Sequence, residues 1–384
     1  MPTSYKLHLC PSIDRNLKAS LYSSLTFFLT LPLDPMANPY PVYPQHATVI
    51  GAGAWGTTLA WYLARKGLQI ALWAYEADVA ETVRLKRENI RYLPGVTLPD
   101  TITPHHDMTR AVEQAEFLVL AVPSHVMRAI VHQLAAALSR PRPLILATKG
   151  IEEGSLKLMS QVVSDILSPD WISRILVLTG PSFAREVCQS KPTTILLAGV
   201  DPQLTAFMQT LFLSPTLRVY TGSDLIGAQL GGALKNVIAI AAGLVDGLEL
   251  GYNARAALIT RGLAEMIRLG RALGAEVHTF YGLSGLGDLI LTCTGPLSRN
   301  YTVGVQLGKG SRLDEILSTM VSVAEGIRTA RAAVALARNH AVEMPIVENV
   351  AAVLFEGKSP HTAVTELMTR AAKAEFDLLH MEHL

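Results

Sequence analysis

The residue in this chain that most needs a chemical reason is Lys235, near the middle of the run 224–251 (DLIGAQLGGALKNVIAIAAGLVDGLELG). Apolar residues surround that stretch and nothing breaks the pattern for several turns, which predicts one long, mostly buried helix. A lysine is rarely buried unless something meets its charge. Its neighbours at helical spacing are Ala228, Gly231, Gly232, Ala239 and Ala242, with Ile238 the one large exception, so its face is nearly stripped of bulk. Two adjacent glycines cost about 2 kcal/mol of helix propensity against alanine. That cost points to another body lying close to the backbone beside the ammonium. A snorkelling lysine on a tightly packed helix pair is the competing reading.

Two further loops carry unusual composition. Ser298, Arg299 and Asn300 follow a Gly-Pro turn. Hydroxyl and amide donors flanking a guanidinium make a cradle for phosphate or carboxylate, although an exposed turn with a surface arginine has the same sequence. The stretch 282–288 (GLSGLGD) sets three glycines before Asp288, which suggests a backbone brought close to a ligand or to the central helix.

The elements that must position these groups begin with a strand at 47–51 (ATVIG) running into Gly51-Ala-Gly53-Ala54-Trp55-Gly56, then a helical pattern, then a second strand at 68–73. This is G-x-G-x-x-G in its required strand–turn–helix–strand setting. Gly51 permits the tight turn, Gly53 lets the backbone approach a pyrophosphate, and Gly56 lets helix and strand pack closely. The helix N-terminus offers N–H groups to phosphate. The second strand ends Trp73-Ala-Tyr75-Glu76. Glu76 lies late for an acid that takes a ribose 2′-hydroxyl, while Tyr75, Arg65 and Lys66 could tolerate a 2′-phosphate; Tyr75 and Glu76 read equally well as loop surface.

Buried strands recur at 116–122, 143–148 and 175–179, with helical patterns between them, and predict a doubly wound parallel sheet. Ligands in such sheets sit outside the carboxyl ends of the strands. That rule places Ser124, Lys149 and the segment Gly180-Pro-Ser182-Phe-Ala184 at a crevice, though Lys149 alone could be a solvated loop residue and Ser182 a helix cap. Stretches 193–199 and 217–220 look like strands at the far edge. Past residue 224 the strand signal disappears. The expected organisation is a Rossmann-type α/β domain at 47–223, an all-helical domain at 224–384, and a disordered extension at 1–46.

Composition narrows the class. The chain has 384 residues and a net charge of +1, with no basic stripe, so no nucleic-acid partner is indicated. Three cysteines (Cys10, Cys188 and Cys293) supply neither a disulfide framework nor a metal site, and a reducing, cytoplasmic compartment fits. No integral membrane segment is expected, because Gln229, Lys235, Asn236 and Asp246 make the central helix too polar to face lipid. The apolar run 25–33, behind Arg15 and Lys18, faintly resembles a signal-peptide core. Met36 opens a plausible alternative start, and 1–35 is read as an upstream extension.

Taken together, the chain resembles the NAD(P)-dependent glycerol-3-phosphate dehydrogenases of the bacterial cytosolic type. The likeness spans about 47–375 and rests on G-x-G-x-W-G, A-T-K-G (147–150), T-G-P-S-F-A (179–184), A-L-K-N-V-I-A-I-A-A-G (233–243), G-L-G-D-L (285–289), S-R-N-Y (298–301) and V-A-E-G (323–326). The resemblance implies interconversion of dihydroxyacetone phosphate and sn-glycerol 3-phosphate, serving phospholipid synthesis. It makes Lys235 the proton donor and acceptor. Lys149, Gly180, Ser182, Asp288, Ser298, Arg299 and Asn300 would join Lys235 around the substrate. Ala54, Trp55, Tyr75, Lys149, Ala184, Arg299, Val323 and Glu325 would line NAD(P)H, with NADPH the favoured form and a homodimer the expected assembly. Ala54 stands where many members carry serine, and Tyr75 where many carry a basic or imidazole side chain. A dehydrogenase acting on a carboxylate or acyl thioester would be expected to use a His–Glu pair or a lysine with a different acid partner, and His278, in the loop-like stretch 275–282 (AEVHTFYG), shows no such dyad; a non-catalytic dinucleotide sensor would need neither a lysine in a small-residue helix nor an arginine cradle.

Overall fold

The computed structural model describes residues 43–375 apart from 139, 321, 322 and 373; the expected extension up to 42, with Met36 and Cys10, lies outside the described residues. From Pro44 onward the chain forms one compact unit. The end of the expected extension is structured: the backbone N–H groups of Gln45 and His46 both donate to the Glu116 carboxylate, and the first strand starts at His46.

The sheet half runs in chain order β1 (His46–Ile50), α1 (Ala54–Arg65), β2 (Gln69–Trp73), α2 (Ala77–Lys86), β3 (Ile102–His105), α3 (Met108–Val112), β4 (Phe117–Leu120), α4 (Met127–Ala137), β5 (Leu144–Leu146), α5 (Met159–Ile166), β6 (Ile175–Thr179), α6 (Ala184–Cys188), β7 (Thr193–Gly199), α7 (Pro202–Phe212) and β8 (Leu217–Gly222). The eight strands lie in the order β3-β2-β1-β4-β5-β6-β7-β8, so the winding direction reverses between β1 and β4. Strands β4 and β5 are buried at every position, as a parallel sheet covered on both faces requires. Ile50 sits opposite both Trp73 and Leu120. The turn after β1 is therefore level with the loops after β2 and β4, at the reversal point where such sheets bind ligands.

Two features depart from the expected all-parallel sheet. β7 runs antiparallel to β6, with Thr179 opposite Leu196, because only a short loop and the one-turn helix α6 connect them. β3 carried no strand signal: it is a four-residue edge strand with Pro104 inside it, and proline is tolerated where the N–H faces away from the ladder.

The helical half comprises α8 (Leu225–Gly247), α9 (Gly251–Ala272), α10 (Val277–Tyr281), a π-helical turn (Leu283–Gly287), α11 (Asp288–Thr294), α12 (Arg299–Gly308), α13 (Leu313–Thr319), α14 (Glu325–Asn339), α15 (Pro345–Phe355) and α16 (Pro360–Met368). Helix α8 is its axis. It starts where the Asp224 carboxylate accepts from the Gly227 N–H, and every residue from Gly227 to Val245 is buried. By length and composition it could cross a membrane, yet 89% of its apolar window is packed inside the fold. Leu230, Leu234, Ile238 and Ile240 are wholly enclosed, each worth roughly 1.5–3 kcal/mol of hydrophobic burial.

The small residues of α8 serve helix packing on more than one side. A Cβ on Gly231 would collide with the Ser284 carbonyl oxygen, and one on Gly243 with that of Tyr301. The body that lies against Gly231 is thus the backbone of the glycine-rich stretch 282–288, which resolves the sequence-based choice between ligand and central helix.

Candidate active site

The π-helical turn delivers α11 to the flank of α8, and a carboxylate waits there for Lys235. Lys235 Nζ donates to Asp288 Oδ1 at 2.6 Å and to Thr292 Oγ1 at 2.7 Å. Asp288 and Thr292 are one turn apart on α11 and so share a face. The Thr292 hydroxyl donates to the Asp288 backbone carbonyl at 2.6 Å, which turns a lone pair toward the ammonium. An ammonium has three N–H donors; two are taken and the third is available for a bound oxygen.

The other Asp288 oxygen accepts from Lys149 Nζ at 2.6 Å. Lys149 follows β5 and also reaches the Gly180 carbonyl at 3.4 Å, to which the Ser182 hydroxyl donates at 3.0 Å. Ser182 therefore folds back on Gly180 and does not cap α6, whose N-cap is Phe183. One carboxylate, 1% exposed, bridges two ammonium groups, one from each half of the chain. Two positive charges against one negative leave a surplus suited to an anionic substrate.

Burial lowers the Lys235 pKa to about 8, against the opposing pull of Asp288. Burial pushes the Asp288 carboxyl up, but Lys149 and Lys235 outweigh it and hold the group below its usual range. The pair is charged at neutral pH, with the amine near the threshold of releasing its proton.

The Ser298-Arg299-Asn300 trio is divided by the fold. Ser298 is the N-cap of α12 and accepts from the Tyr301 N–H. Asn300 donates to Asn236 Oδ1 and accepts from the Gly326 N–H, both at 2.9 Å, tying α8, α12 and α14 together. Both are buried, whereas Arg299 is exposed and its side chain makes no hydrogen bond or ion pair among the described residues. The expected cradle is a guanidinium at a helix start, its pKa lowered by desolvation against the opposing charge of Glu325, flanked by two neighbours with structural duties.

The dinucleotide side is organised by the turn after β1. Gly51 has φ +111, which only glycine adopts readily. A Cβ on Gly56 would strike the Gly51 carbonyl oxygen, while one on Gly53 would project into open space. That space, beside the N-terminus of α1, fits a pyrophosphate. The Trp55 indole N–H nearby is buried and has no hydrogen-bond partner among the described residues. Across the crevice Glu325, the first residue of α14, accepts from the Ser124 N–H at 3.1 Å and from its hydroxyl at 2.5 Å, beside Gly150. Ala54 and Trp55 open α1, Ala184 opens α6, and Tyr75 and Val323 are exposed. Among the described residues no hydrogen bond or ion pair joins those five to the lysine–aspartate cluster.

Arg65 and Lys66 do not stand near the end of β2. They lie at the far end of α1, where Arg65 covers the Trp61 ring at 4.8 Å and Lys66 donates to the Leu213 carbonyl. Arg65 is the last of the twelve residues of α1, about 16 Å along the helix from its first. His278 does meet a glutamate, Glu276, at 2.8 Å, but both are exposed on a turn near the start of α8. It is a surface pair about three turns from Lys235.

Thr292 and Asn236 were not singled out from sequence. Thr292 is recoverable in hindsight as the i+4 neighbour of Asp288 on a helix. Asn236 adjoins Lys235, but its partner Asn300 is 64 residues away and no spacing rule predicts the pairing.

Comparison with known proteins agrees with this arrangement over nearly the whole described chain. Residues 46–205 match the family model described as NAD-dependent glycerol-3-phosphate dehydrogenase N-terminus, and 224–365 match the corresponding C-terminus. A glycerol-3-phosphate dehydrogenase [NAD(P)+] of Geobacter sulfurreducens is 54% identical over 327 residues, covering 85% of this chain and 98% of that protein. One of Syntrophobacter fumaroxidans is 48% identical, with coverages of 86% and 98%. Among solved structures, a glycerol-3-phosphate dehydrogenase of Coxiella burnetii superposes with a TM-score of 0.81 at 38% identity, covering 85% of this chain and 99% of its own. The chain belongs to the NAD-dependent glycerol-3-phosphate dehydrogenase family.

Proposed function

We propose that this protein interconverts dihydroxyacetone phosphate and sn-glycerol 3-phosphate with NAD(P)H, and that Lys235 carries the proton. The observation behind the second half is the Lys149–Asp288–Lys235 bridge, with one N–H of Lys235 uncommitted. Bound reduced nicotinamide supplies the hydride that the ketone carbon receives. Lys235, as ammonium, gives its proton to the oxygen of that carbon as the alkoxide forms. Asp288 and Thr292 fix the amine's direction. Lys149 holds a substrate hydroxyl, and Arg299 takes the phosphate. In the reverse direction neutral Lys235 accepts the proton, a form that burial brings within reach. The family resemblance alone supports a cytoplasmic enzyme, a homodimer, feeding phospholipid head-group assembly.

The test is the loss of absorbance from reduced cofactor on adding dihydroxyacetone phosphate. Lys235→Ala should lower kcat by roughly 10²–10⁴ while cofactor affinity stays within a few-fold. Retention of more than about a tenth of the wild-type rate would remove the proton role. Arg299→Ala should chiefly raise the KM for the phosphorylated ketone; an unchanged KM would move the phosphate elsewhere.

A further inference from the structure

The loop after β2 carries an arrangement that bears on which nicotinamide cofactor this enzyme takes. Glu76 precedes α2 at the N-cap position, yet its side chain does not cap that helix. Its Oε1 accepts instead from the Tyr92 hydroxyl at 2.7 Å. The Tyr92 N–H donates to Asn89 Oδ1 at 3.1 Å, and Asn89 Nδ2 donates to the Ala52 carbonyl at 2.7 Å and to Thr57 Oγ1 at 2.8 Å. Asn89 is 1% exposed. The segment 89–92 is thus a bracket with one end on the glycine turn and the other on the Glu76 carboxylate. The pairing of Ile50 with Trp73 brings the end of β2 level with the glycine turn, and Glu76, three residues further on, is tied to that turn by the bracket.

In folds of this kind an acid at the end of the second strand receives the adenosine ribose 2′-hydroxyl, and a base accommodates a 2′-phosphate; Glu76 lies late for that role by sequence, and the Tyr92–Asn89 bracket is what ties it to the glycine turn. The arginines and lysines named for this place are committed elsewhere, and the imidazole of His106 is engaged at the Ala74 carbonyl at 3.1 Å. Arg65 and Lys66 are at the opposite end of α1. Arg87 is held by the carbonyls of Pro99 and Ile102. Arg91 lies over the Tyr92 ring at 5.3 Å and is matched by Asp78 at 3.7 Å. Glu76 and Asp78 against Arg91 leave the loop net negative. A ribose hydroxyl can donate to Glu76; a phosphate dianion there meets a like charge in a fixed position.

We propose that Glu76, held by Tyr92, binds the adenosine ribose and makes this enzyme select NADH over NADPH, with Asn89 and Tyr92 as the residues that position it. This rests on the dehydrogenase reading above and reverses the NADPH preference that the family resemblance suggests. The experiment measures kcat/KM for NADH and NADPH with dihydroxyacetone phosphate, and the Kd of each cofactor without substrate by quenching of tryptophan fluorescence. The full chain should favour NADH by about tenfold or more, and Glu76→Gln should cut that ratio by roughly fivefold or more. Tyr92→Phe, which keeps the ring and removes the hydroxyl, should lower the ratio by less. A ratio is unaffected by loss of folded protein, so impaired folding cannot imitate the result. Wild-type preference for NADPH, or a Glu76→Gln ratio within about twofold of wild type, overturns the proposal. If Kd favours NADH and Glu76→Gln abolishes that preference while neither cofactor reduces the ketone, the selectivity assignment stands and the dehydrogenase reading falls.

Discussion

At the scale of single residues the proposed chemistry turns on an amine kept charged by a carboxylate and brought toward neutrality by burial. Because the Lys235 pKa lies at about 8, the two directions of reaction should respond to pH with opposite sign. Ketone reduction needs the ammonium, so its kcat/KM should fall as pH rises through about 8; alcohol oxidation needs the free amine and should rise over the same interval. Asp288 raises the Lys235 pKa, so Asp288→Asn should move both limbs to lower pH besides lowering the rate. Paired pH profiles of wild type and variant check this, and limbs that stay in place would mean another group titrates. A lysine amid glycine and alanine on an apolar helix was conspicuous in the sequence. Its threonine partner was not, because a threonine four residues after an aspartate is unremarkable until the helix carrying both is known to face the lysine.

At the scale of elements, the site depends on how closely α12 lies against α8. A Cβ on Gly304 would collide with the Ile240 carbonyl oxygen and come within 2.9 Å of the Gly243 Cα, and Arg299 is the first residue of the same α12. Gly304→Ala should therefore cost about 1–3 kcal/mol of stability and raise the KM for the phosphorylated ketone by displacing the guanidinium. Gly53→Ala should behave differently, since its Cβ meets only open space: the melting temperature should hold while cofactor Kd rises. Thermal unfolding and cofactor titration of the two variants separate the cases, and matching behaviour would contradict the assignment of Gly53 to the pyrophosphate. The long helix and the apolar strands were legible because periodicity and β-branched runs are local signals. Strand β3 was not, because its pairing with β2 overrides a weak, proline-containing sequence.

At the scale of the whole molecule, a second buried titratable group ties two helices of the helical half together. Glu265 on α9 is 2% exposed and accepts from the N–H groups of Ile346 and Val347, in the first turn of α15. Burial raises its pKa to about 7, against those N–H bonds and Arg268. The folded state thus holds this proton more tightly than the unfolded chain, where it leaves near about pH 4.3. The stabilising contribution of that proton is fully present below the unfolded value and is lost as pH rises through about 7. The melting temperature of wild type relative to Glu265→Gln should accordingly fall between pH 5 and pH 8; a constant difference would show that the carboxyl does not titrate in that interval. The sequence by itself determined the sheet-then-helix order, the glycine turn and the identity of the central lysine, because these rest on short-range spacing and composition. Only the tertiary structure decided that Asp288 is shared by two lysines, that Asn300 is tied to α8 and α14 while the Arg299 side chain makes no hydrogen bond or ion pair among the described residues, and that Arg65 and Lys66 stand a helix length from the glycine turn. Each of those facts is a distance between residues far apart in the chain, or a direction along a helix, and a linear pattern does not encode where a side chain's partner will arrive.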